Sequence, residues 1–329
     1  VSAALLLFFF YLSLPLTILT LLPPLFAYIC TLGTLKLIGH PLDIPALMLS
    51  IVVFGMGIDY SIFCVRAHQR YRHLDHPFYT LVRIAVFMAG VSTLIGFGVL
   101  CFAEHSLLHS IGVTSILGIG YSLLGTFLLL PPLLNLYFKK TSALVPSIAY
   151  SPAQRARAHY HRLEAYPRMF ALLKLRFDPL FGDLAEMMDQ RKSVNTILDI
   201  GCGYGVPACW CLEQFENAKV FGIDPDPEKI RVAGIATAER GIMTVGRAPA
   251  LPAISHDVDV VLLLDMLHYL DDATTSTLLQ RAFTVLGNGG ILITRFVITP
   301  PGRPSWSWRL EDGRIRLAGK KPHYRSPVN

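Results

Sequence analysis

The chain has 329 residues, of which 53% are hydrophobic and only 16% are charged, and its formal net charge is +6. Soluble globular proteins carry about 25% charged residues, so this composition excludes a chain that is surrounded by water throughout. The basic excess comes without an aromatic–basic module, which argues against a nucleic-acid partner. The six cysteines lack the spacing of a zinc site, so we predict no bound metal.

Apolar segments fill the chain before residue 139. A helix needs about 20 apolar residues to cross a bilayer. The candidate spans cover roughly 1–13, 16–38, 45–65, 81–103 and 110–138. We predict that residues 1–138 form a first domain, an all-α transmembrane helix bundle of about five spans in contact with the lipid bilayer. Because Val1 already lies inside an apolar run, we expect a piece of a longer protein.

Basic residues follow the third and the last of these spans. Arg66–His73 is rich in Arg and His, Lys139 and Lys140 close the final span, and 104–109 contains neither Lys nor Arg. Cytoplasmic loops carry the excess of Lys and Arg in membrane proteins. We therefore predict a multi-pass protein of a bacterial inner (plasma) membrane, with everything after residue 138 in the cytoplasm.

Asp59 lies well inside the third apolar span, within Gly55-Met56-Gly57-Ile58-Asp59-Tyr60. A carboxylate in the middle of a bilayer costs about 3 kcal/mol on insertion scales, so it should pair with a polar group or stay protonated. Gly55, one turn earlier, is expected to allow another helix to approach closely. The nearest chemically suitable partners are the hydroxyls of Ser92, Thr93, Thr114 and Ser115. A purely structural polar residue that bonds neighbouring helices is the alternative.

The pattern around Asp59 resembles the proton-driven resistance–nodulation–division exporters, in particular the MMPL-type lipid exporters. Val91–Gly98 and the span end at Leu128–Leu134, with its double proline, are similar as well. The resemblance implies that residues 1–138 correspond to the C-terminal membrane half of such an exporter, with Asp59 and Tyr60 as its proton-relay pair. It also implies an N-terminal half of the exporter as a partner.

Residues 139–195 are basic and aromatic and are predicted to be helical. Such a segment can lie on anionic lipid headgroups, where each basic residue adds about 1 kcal/mol of attraction. It can equally be a solvated lead-in to the next domain. We describe it as a juxtamembrane helical linker and leave both interpretations open.

From residue 196 onward apolar strands alternate with helices. This order predicts a Rossmann-like α/β domain, residues 196–329, with a mostly parallel sheet covered on both faces. Ligands bind such sheets at the carboxyl ends of the strands. The predicted strands are 196–200, 219–223, 243–245, 258–264 and 291–296, and the predicted helices are 206–215, 227–240 and 273–286.

A glycine loop follows the first of these strands, with the spacing Asp-x-Gly-x-Gly-x-Gly from Asp199 to Gly205. Glycine allows a sharp turn and close approach of a ligand, and the following helix begins with unpaired N–H groups. A dinucleotide fingerprint has the spacing Gly-x-Gly-x-x-Gly, which Gly201, Gly203 and Gly205 do not match. The next strand ends at Asp224, whose carboxylate can accept both hydroxyls of a ribose.

These residues resemble the class I S-adenosylmethionine-dependent methyltransferases, over about 195–297. The motifs that carry the resemblance are 194–205, 222–226, 259–270 and 285–293. The resemblance implies S-adenosyl-L-methionine as the cofactor. It implies a cofactor-binding set composed of Asp199, Gly201, Cys202, Gly203, Gly205, Asp224, Pro225, Arg247, Ala248 and Asp265.

Two features depart from that family. Arg247, beside Ala248, stands where an Asp often binds the adenine amino group, so either the backbone binds adenine or cofactor affinity is reduced. The family's sheet also ends in a reversed strand, and no apolar run before Asn329 predicts one, so we expect truncation at the C-terminus.

Methyl transfer needs an aligned nucleophile, and a general base when that nucleophile is protonated. His268, just past the fourth strand, is the candidate base; the alternative is that it packs at the start of the next helix. The leading hypothesis is a bifunctional membrane protein that methylates a small or lipid-like acceptor and carries a proton-coupled exporter segment. The alternatives are a methyltransferase whose membrane half has no transport role, and a cofactor-binding module without turnover.

Overall fold

The computed structural model describes residues 2–40, 44–71, 76–142, 150–189, 193–254 and 257–296, together with Arg309 and Gly313. The chain divides into two compact units. The membrane unit comprises residues 1–144 and 162–166, and the α/β unit comprises 145–161 and 167–329. The predicted domain division at residues 138 and 195 stays a prediction.

The membrane unit is built of helices. They are α1 (Ser2–Tyr11), α2 (Leu14–Leu37), α3 (Ile44–Tyr71), α4 (Pro77–Gly98), α5 (Ser106–Leu124) and α6 (Leu130–Ser142). In the described part of the chain, four helical stretches are long and apolar enough to cross a membrane: Leu14–Leu37, Leu47–Tyr71, Pro77–Phe102 and Ser106–Lys139. The predicted helix bundle is confirmed, and the first predicted span is a helix of 10 residues.

Small residues bring the membrane helices together, as is common where lipid offers no hydrophobic drive between helices. A Cβ on Gly57 of α3 would lie 2.5 Å from Ser122 Oγ and 2.9 Å from Pro24 Cβ. A Cβ on Gly55 would have no atom within 4 Å. The glycine that permits close helix approach is therefore Gly57, and the expectation for Gly55 was wrong.

The last membrane span continues through two prolines. A π-helical turn, Gly125–Leu129, joins α5 to α6 and directly precedes Leu130-Pro131-Pro132. Proline has no N–H to donate to the preceding turn. A locally wider turn is the kind of adjustment that lets a helix pass through such a site without ending.

The α/β unit contains a sheet of five parallel strands in the order β3-β2-β1-β4-β5. The strands are β1 (Thr196–Ile200), β2 (Lys219–Asp224), β3 (Gly241–Val245), β4 (Val258–Leu264) and β5 (Leu286–Arg295). The helices are α7 (Pro152–His159), α8 (Ala165–Phe177), α9 (Leu180–Asp189), α10 (Val206–Gln214), α11 (Pro227–Thr237) and α12 (Asp272–Val285). The predicted Rossmann-like α/β fold is confirmed.

The last described strand begins earlier than the sequence predicts. The prediction placed a glycine turn before residue 291, but β5 starts at Leu286, with a register shift opposite Val258 and Val260. A Cβ on Gly290 would lie 2.8 Å from the Val258 carbonyl oxygen, so only glycine lets the two strands run this close. The expectation that the family's reversed strand is missing concerns residues after 296, and these lie outside the described residues apart from Arg309 and Gly313.

Part of the predicted linker packs onto the α/β unit. Helix α7 begins with a capping box in which Ser151 and Gln154 bond reciprocally. Arg155 Nε and His159 Nε2 lie 3.0 Å and 2.9 Å from the two carboxylate oxygens of Glu213 on α10. These contacts favour the interpretation of α7 as a lead-in to the α/β domain over a position on lipid headgroups.

Candidate functional site

The loop between β1 and α10 is a tight glycine turn. Gly201, Gly203 and Gly205 all have positive φ, +76°, +55° and +71°. A Cβ on Gly205 would lie 2.8 Å from Ala233 Cβ, and one on Gly201 would lie 2.8 Å from Met266 Cβ, so both glycines are required by packing. A Cβ on Gly203 would have no atom within 4 Å. Gly203 therefore faces open space, which suits the backbone approach of a ligand.

Asp224 holds this loop against the end of β2. The Gly203 N–H donates to Asp224 Oδ2 at 3.0 Å, and the Asp226 N–H donates to Asp224 Oδ1 at 2.9 Å. A carboxylate offers about four lone-pair positions, so each oxygen keeps capacity for one hydroxyl donor. Asp224 is 6% exposed and Pro225, the next residue, is exposed. The two predicted binding residues thus stand at the carboxyl edge of the sheet.

Asp199, the second-to-last residue of β1, has a buried carboxyl that is not fully hydrogen-bonded. It is 1% exposed, and its Oδ2 has no hydrogen-bond partner. Burial raises the pKa of its carboxyl to about 7; the Lys174 ammonium opposes this shift and the Asp224 carboxylate adds to it. Buried oxygens without a hydrogen-bond donor are rare in proteins, and a bound ligand can supply the missing donor. Cys202, beside it in the loop, is also buried.

The residues after β3 lie at the same edge. The Gly246 N–H donates to the Asp224 carbonyl at 3.1 Å, which brings the next two residues close to the end of β2. The Arg247 side chain is exposed, and Ala248 packs against the core of the α/β unit. Residues 246–248 contain no carboxylate, so the hydrogen-bond acceptors of this segment are its backbone carbonyls.

Asp265, at the end of β4, is bound into a cluster of four charges that the sequence did not reveal. We call Lys174, Asp178, Asp265 and Arg295 the edge cluster. Arg295 bonds Asp178 through two nitrogens, at 2.6 Å and 2.8 Å, and its Nε lies 2.7 Å from Asp265 Oδ1. Lys174 Nζ lies 3.1 Å from Asp265 Oδ2 and 3.5 Å from Asp178 Oδ2. Asp265 has a φ of +57°, an unusual backbone for aspartate.

The edge cluster keeps its carboxylates ionised. Burial alone would raise the pKa of Asp178, but hydrogen bonds from Arg295 and from the Leu180 N–H, together with Lys174, lower it to about 2. The same opposing causes, with Arg295 the main stabilising group, lower the pKa of Asp265. Lys174 and Asp178 are an i, i+4 pair, which the sequence offers as a signal. Nothing in the sequence connects them to Arg295.

His268 lies in a short 3-10 turn, Leu267–Tyr269, that follows β4. It is 3% exposed, and its ring stands 4.0 Å from that of Tyr269, centroid to centroid. Met266, two residues before His268, lies against Gly201, which places this turn beside the glycine loop. The role of His268 as a base stays a prediction. The burial of the ring is what the packing alternative predicts.

In the membrane unit, Asp59 and Tyr60 point in different directions. Tyr60 is 7% exposed and packs in a cluster with Val53 and Ile119. Asp59 is exposed and, within the described part of the chain, makes no hydrogen bond or ion pair.

The pairing of Asp59 with Ser92, Thr93, Thr114 or Ser115 was therefore predicted wrongly. Thr93 and Ser115 donate to carbonyls four residues back in their own helices, at 2.8 Å and 2.7 Å. Hydroxyl groups in membrane helices commonly bond in this way.

The MMPL family model matches residues 1–169, about half of the chain. The chain belongs to the MMPL family. A membrane protein of Methanocaldococcus jannaschii is 30% identical over 125 residues, which cover 36% of this chain and 32% of that protein. This MMPL chain thus spans about a third of the length of its curated relative.

The C-terminal part matches a second family model, that of a methyltransferase domain, over residues 197–290. This part of the MMPL chain is an S-adenosylmethionine-dependent methyltransferase, and its cofactor is S-adenosyl-L-methionine. Both resemblances stated from the sequence are confirmed. The assignment rests on the family models.

Solved methyltransferase structures are similar at low identity. A protein described as an O-methyltransferase from Nostoc punctiforme is 22% identical, with 60% of this chain and 61% of that chain covered and a TM-score of 0.39. Phosphoethanolamine N-methyltransferase 2 of Haemonchus contortus is 20% identical, with 46% and 34% covered and a TM-score of 0.38.

The residues present suit this cofactor. The space beside Gly203 leaves room for a ligand, the oxygens of Asp224 keep capacity for ribose hydroxyls, and the buried Oδ2 of Asp199 lacks a donor. Bound there, the cofactor supplies a methyl group that is already activated toward a nucleophile. The chain itself has to bind the cofactor, orient the acceptor toward the methyl group and exclude water from the site.

Proposed function

We propose that this chain is a bifunctional membrane protein: a cytosolic methyltransferase that acts on a small or lipid-like acceptor, attached to a proton-coupled MMPL-like exporter segment. The observation that carries the proposal is the glycine loop with Asp224, in a chain whose described residues include four helices long and apolar enough to cross a membrane. A methyltransferase tethered to a bilayer meets membrane-associated acceptors at high effective concentration.

In this proposal the predicted cofactor residues fall into groups with different tasks. Asp224 accepts the ribose hydroxyls, and Gly203 lets the ligand approach its backbone. Gly201 and Gly205 keep the turn closed, because their neighbours leave no room for a side chain. Cys202, Pro225, Arg247, Ala248 and Asp265 complete the pocket wall at the carboxyl edge, with adenine bound by backbone groups after β3.

His268 is the proposed general base when the acceptor carries a hydroxyl. Its turn follows β4 directly, at the edge where ligands bind in parallel sheets. The ring is buried, so this role requires the acceptor to reach it past Tyr269. An H268Q variant that keeps the full methyl-transfer rate would contradict the role and leave packing as the function of His268.

The orientation proposed from the charge pattern places the α/β unit in the cytoplasm of a bacterial cell with an inner membrane. Its support is the basic segment 66–73, of which residues 66–71 form the last turns of α3, and the Lys139-Lys140 pair. The segment 104–109, in contrast, contains neither Lys nor Arg. The methyl donor is made in the cytosol, so this orientation also gives the enzyme access to it.

For the exporter part we propose that Asp59 is a proton-relay carboxylate completed by another helical segment. It lies on an exposed stripe of α3 that also carries Met48, Val52 and Phe63 at helical spacing. A carboxylate facing lipid is costly, so protein is expected to cover this stripe. The partner proposed from the resemblance is the N-terminal half of the exporter, with Tyr60 supporting Asp59 from within the bundle.

Two alternative functions can be distinguished from the proposed one. A membrane half that only anchors the enzyme gives no reason for Asp59, whose insertion is costly. A cofactor-binding module without turnover is favoured only by the exposed Arg247 in the adenine-side position.

Sealed membrane vesicles that contain the full chain provide the test. We expect transfer of labelled methyl from added S-adenosylmethionine to membrane lipid extract in inverted vesicles and little transfer in right-side-out vesicles. A Gly203→Val variant should lose transfer at least about a hundredfold, because the side chain fills the space of the ligand and the φ is strained.

The matched control is Gly289→Val. Gly289 has a similar φ of +73° and the same absence of atoms within 4 Å of an added Cβ, but it lies in β5 at the far end of the strand from the site. Equal loss in both variants would mean that backbone strain, not ligand exclusion, explains the result. Cofactor binding without any transfer would support the non-catalytic alternative.

A further inference from the structure

Arg83 is a cation within a membrane helix. It is the seventh residue of α4, inside the 26-residue stretch Pro77–Phe102 that is long and apolar enough to cross a membrane. At 1.5 Å per residue its Cα lies about 9 Å along the axis from the start of α4. A hydrocarbon core about 30 Å thick covers most of such a stretch, so Arg83 begins just inside it. A charge at this depth needs a partner of opposite charge or has to extend toward the headgroups.

The described residues offer Arg83 no such partner. Within them Arg83 makes no ion pair and no hydrogen bond, and its Cζ lies 5.6 Å from the centroid of the Phe127 ring. Between residues 2 and 142 the described acids are Asp59, on an exposed face of α3, and Glu104, beyond the other end of α4. A contact with a ring face holds the guanidinium but leaves its N–H groups available to an acceptor.

Two neutral groups at the same end of α4 also lack an acceptor. His68 of α3 and Tyr79 of α4 are 4% and 1% exposed, and their rings meet edge to face with centroids 6.0 Å apart. The Nδ1 of His68 and the hydroxyl of Tyr79 are both buried without a hydrogen-bond partner. Each of these groups can donate a hydrogen bond, and buried polar groups without a partner are rare in proteins.

Helical spacing places these groups on facing stripes of α3 and α4. Cys64 and His68 are four residues apart on α3, and Tyr79 and Arg83 are four residues apart on α4, so each pair shares one helix face. His68 meets Tyr79 at one level of the helix pair. One turn deeper, Arg83 lies within electrostatic reach of Cys64 and of Tyr79. One charged and two neutral donor groups are thus gathered here without a described acid.

A cation and neutral donors without an acid favour an anion as the ligand. We propose that this end of the α3–α4 pair binds the phosphate group of a membrane phospholipid, with Arg83 as the charged ligand and the Tyr79 hydroxyl as a neutral donor. Arginine suits this task, because its guanidinium binds phosphate through two parallel N–H bonds. Basic pockets between membrane helices bind phospholipid headgroups in this way. The acyl chains would lie along exposed apolar residues of α4, such as Ile84 and Phe87.

Removing the charge of Arg83 should weaken the binding of a lipid only when that lipid carries phosphate. Native mass spectrometry of the full chain in detergent compares dioleoylphosphatidylglycerol with dioleoylglycerol, which has the same acyl chains and no phosphate. We expect wild type to bind the phosphatidylglycerol more tightly. In Arg83→Met this affinity should fall about tenfold to a hundredfold, and the affinity for dioleoylglycerol should stay within a factor of about two, which also shows that the bundle is folded.

Tyr79→Phe is the second variant, because it removes a hydroxyl and keeps the ring that packs against His68. Its affinity for phosphatidylglycerol should fall about fivefold, and its affinity for dioleoylglycerol should not change. If Arg83→Met loses both lipids through misfolding, this variant decides: a selective loss of phosphatidylglycerol supports the proposal, and unchanged binding overturns it.

Arg70→Met is the matched control, since it removes the same charge from an exposed position in the last turn of α3. Its affinity for phosphatidylglycerol should stay within a factor of about two. A loss equal to that of Arg83→Met would overturn the proposal, because general attraction to a basic surface would then explain the binding. Unchanged binding in Arg83→Met, or equal binding of both lipids by wild type, would overturn it as well. Displacement of phosphatidylglycerol by inorganic phosphate would assign the site to a free anion and exclude the lipid as its ligand.

Discussion

At the residue scale, Asp199 is the side chain whose state depends most on what binds beside it. Motif matching places it at the start of the glycine loop, but the structure adds that its carboxyl is buried, with a pKa of about 7 and a bare oxygen. A carboxyl whose pKa is raised in the folded state weakens the fold as pH rises from about 4 to about 7, because ionisation is unfavourable there. A cation next to Asp199 would stabilise the ionised carboxylate and so remove this loss of stability.

Binding of S-adenosylhomocysteine should therefore release a proton from Asp199. At about pH 6 the free carboxyl is mostly protonated and binding releases close to one proton, while at about pH 8.5 Asp199 is already ionised and releases nearly none. Calorimetry in two buffers of different ionisation enthalpy measures this number. The Asp199→Asn variant, which has no carboxyl, is the reference, and a wild-type chain that matches it at both pH values would contradict the prediction.

At the element scale, the edge cluster ties the junction of α8 and α9 to the end of β5. Asp178 joins them, because it bonds Arg295 through both oxygens and accepts the Leu180 N–H at 3.0 Å at the start of α9. The lead-in is therefore bonded to the edge of the sheet where we propose the cofactor site. Tyr160 gives the lead-in a second contact at this edge, since its hydroxyl donates to the Tyr204 carbonyl in the glycine loop at 2.9 Å.

The stability of the α/β unit should fall in acid as this junction loses its charge. The pKa of Asp178 is lowered to about 2, so its contribution is complete above about pH 4 and is lost as pH falls through about 2. A shift of this size corresponds to about 2 kcal/mol. The Asp178→Asn variant should unfold at a lower temperature than wild type at pH 6, and the gap should narrow toward pH 2.5.

Thermal unfolding of the full chain in detergent, followed at several pH values, measures the gap. Asp183→Asn serves as the control, since Asp183 is exposed on α9 and lies outside the edge cluster. A gap between wild type and Asp178→Asn that stays constant down to pH 2.5 would mean that helix capping alone, without the charge, explains the role of Asp178.

At the scale of the whole molecule, the chain combines two units with separate chemistry. The membrane unit has the Asp59 carboxylate on an exposed stripe of α3. The α/β unit has the glycine loop where we propose that the methyl donor binds. We expect that each unit can be inactivated by a substitution that leaves the other intact. This separation distinguishes a bifunctional protein from an anchored enzyme.

In a complete exporter that contains this segment, Asp59→Asn should stop proton-coupled export and leave methyl transfer unchanged. Asparagine keeps the size of the side chain but cannot carry a proton on and off. Export into inverted vesicles under an imposed proton gradient is the measurement. Glu104→Gln is the control, because this acid lies in the exposed loop between α4 and α5. Export that survives in the Asp59→Asn variant would exclude the relay role.

Much of this architecture follows from local sequence pattern. Apolar runs of span length, glycines at fixed spacing after a buried strand, and the alternation of strands and helices depend on near neighbours in the chain. They predicted the helix bundle, the parallel sheet and the glycine loop with Asp224. The start of β5 escaped prediction, because four small residues from Gly287 to Gly290 look like a turn until β4 is placed beside them.

By itself the sequence determined the order of elements, the class of cofactor and the presence of a carboxylate within a membrane span, because each is encoded over a short stretch. Only the tertiary structure decided which side chains meet. Lys174 reaches Asp265 across 91 residues, and Arg295 reaches Asp178 across 117. It also decided that Gly57, not Gly55, lets α3 approach its neighbours, since the face of a helix that packs is chosen by the helices around it.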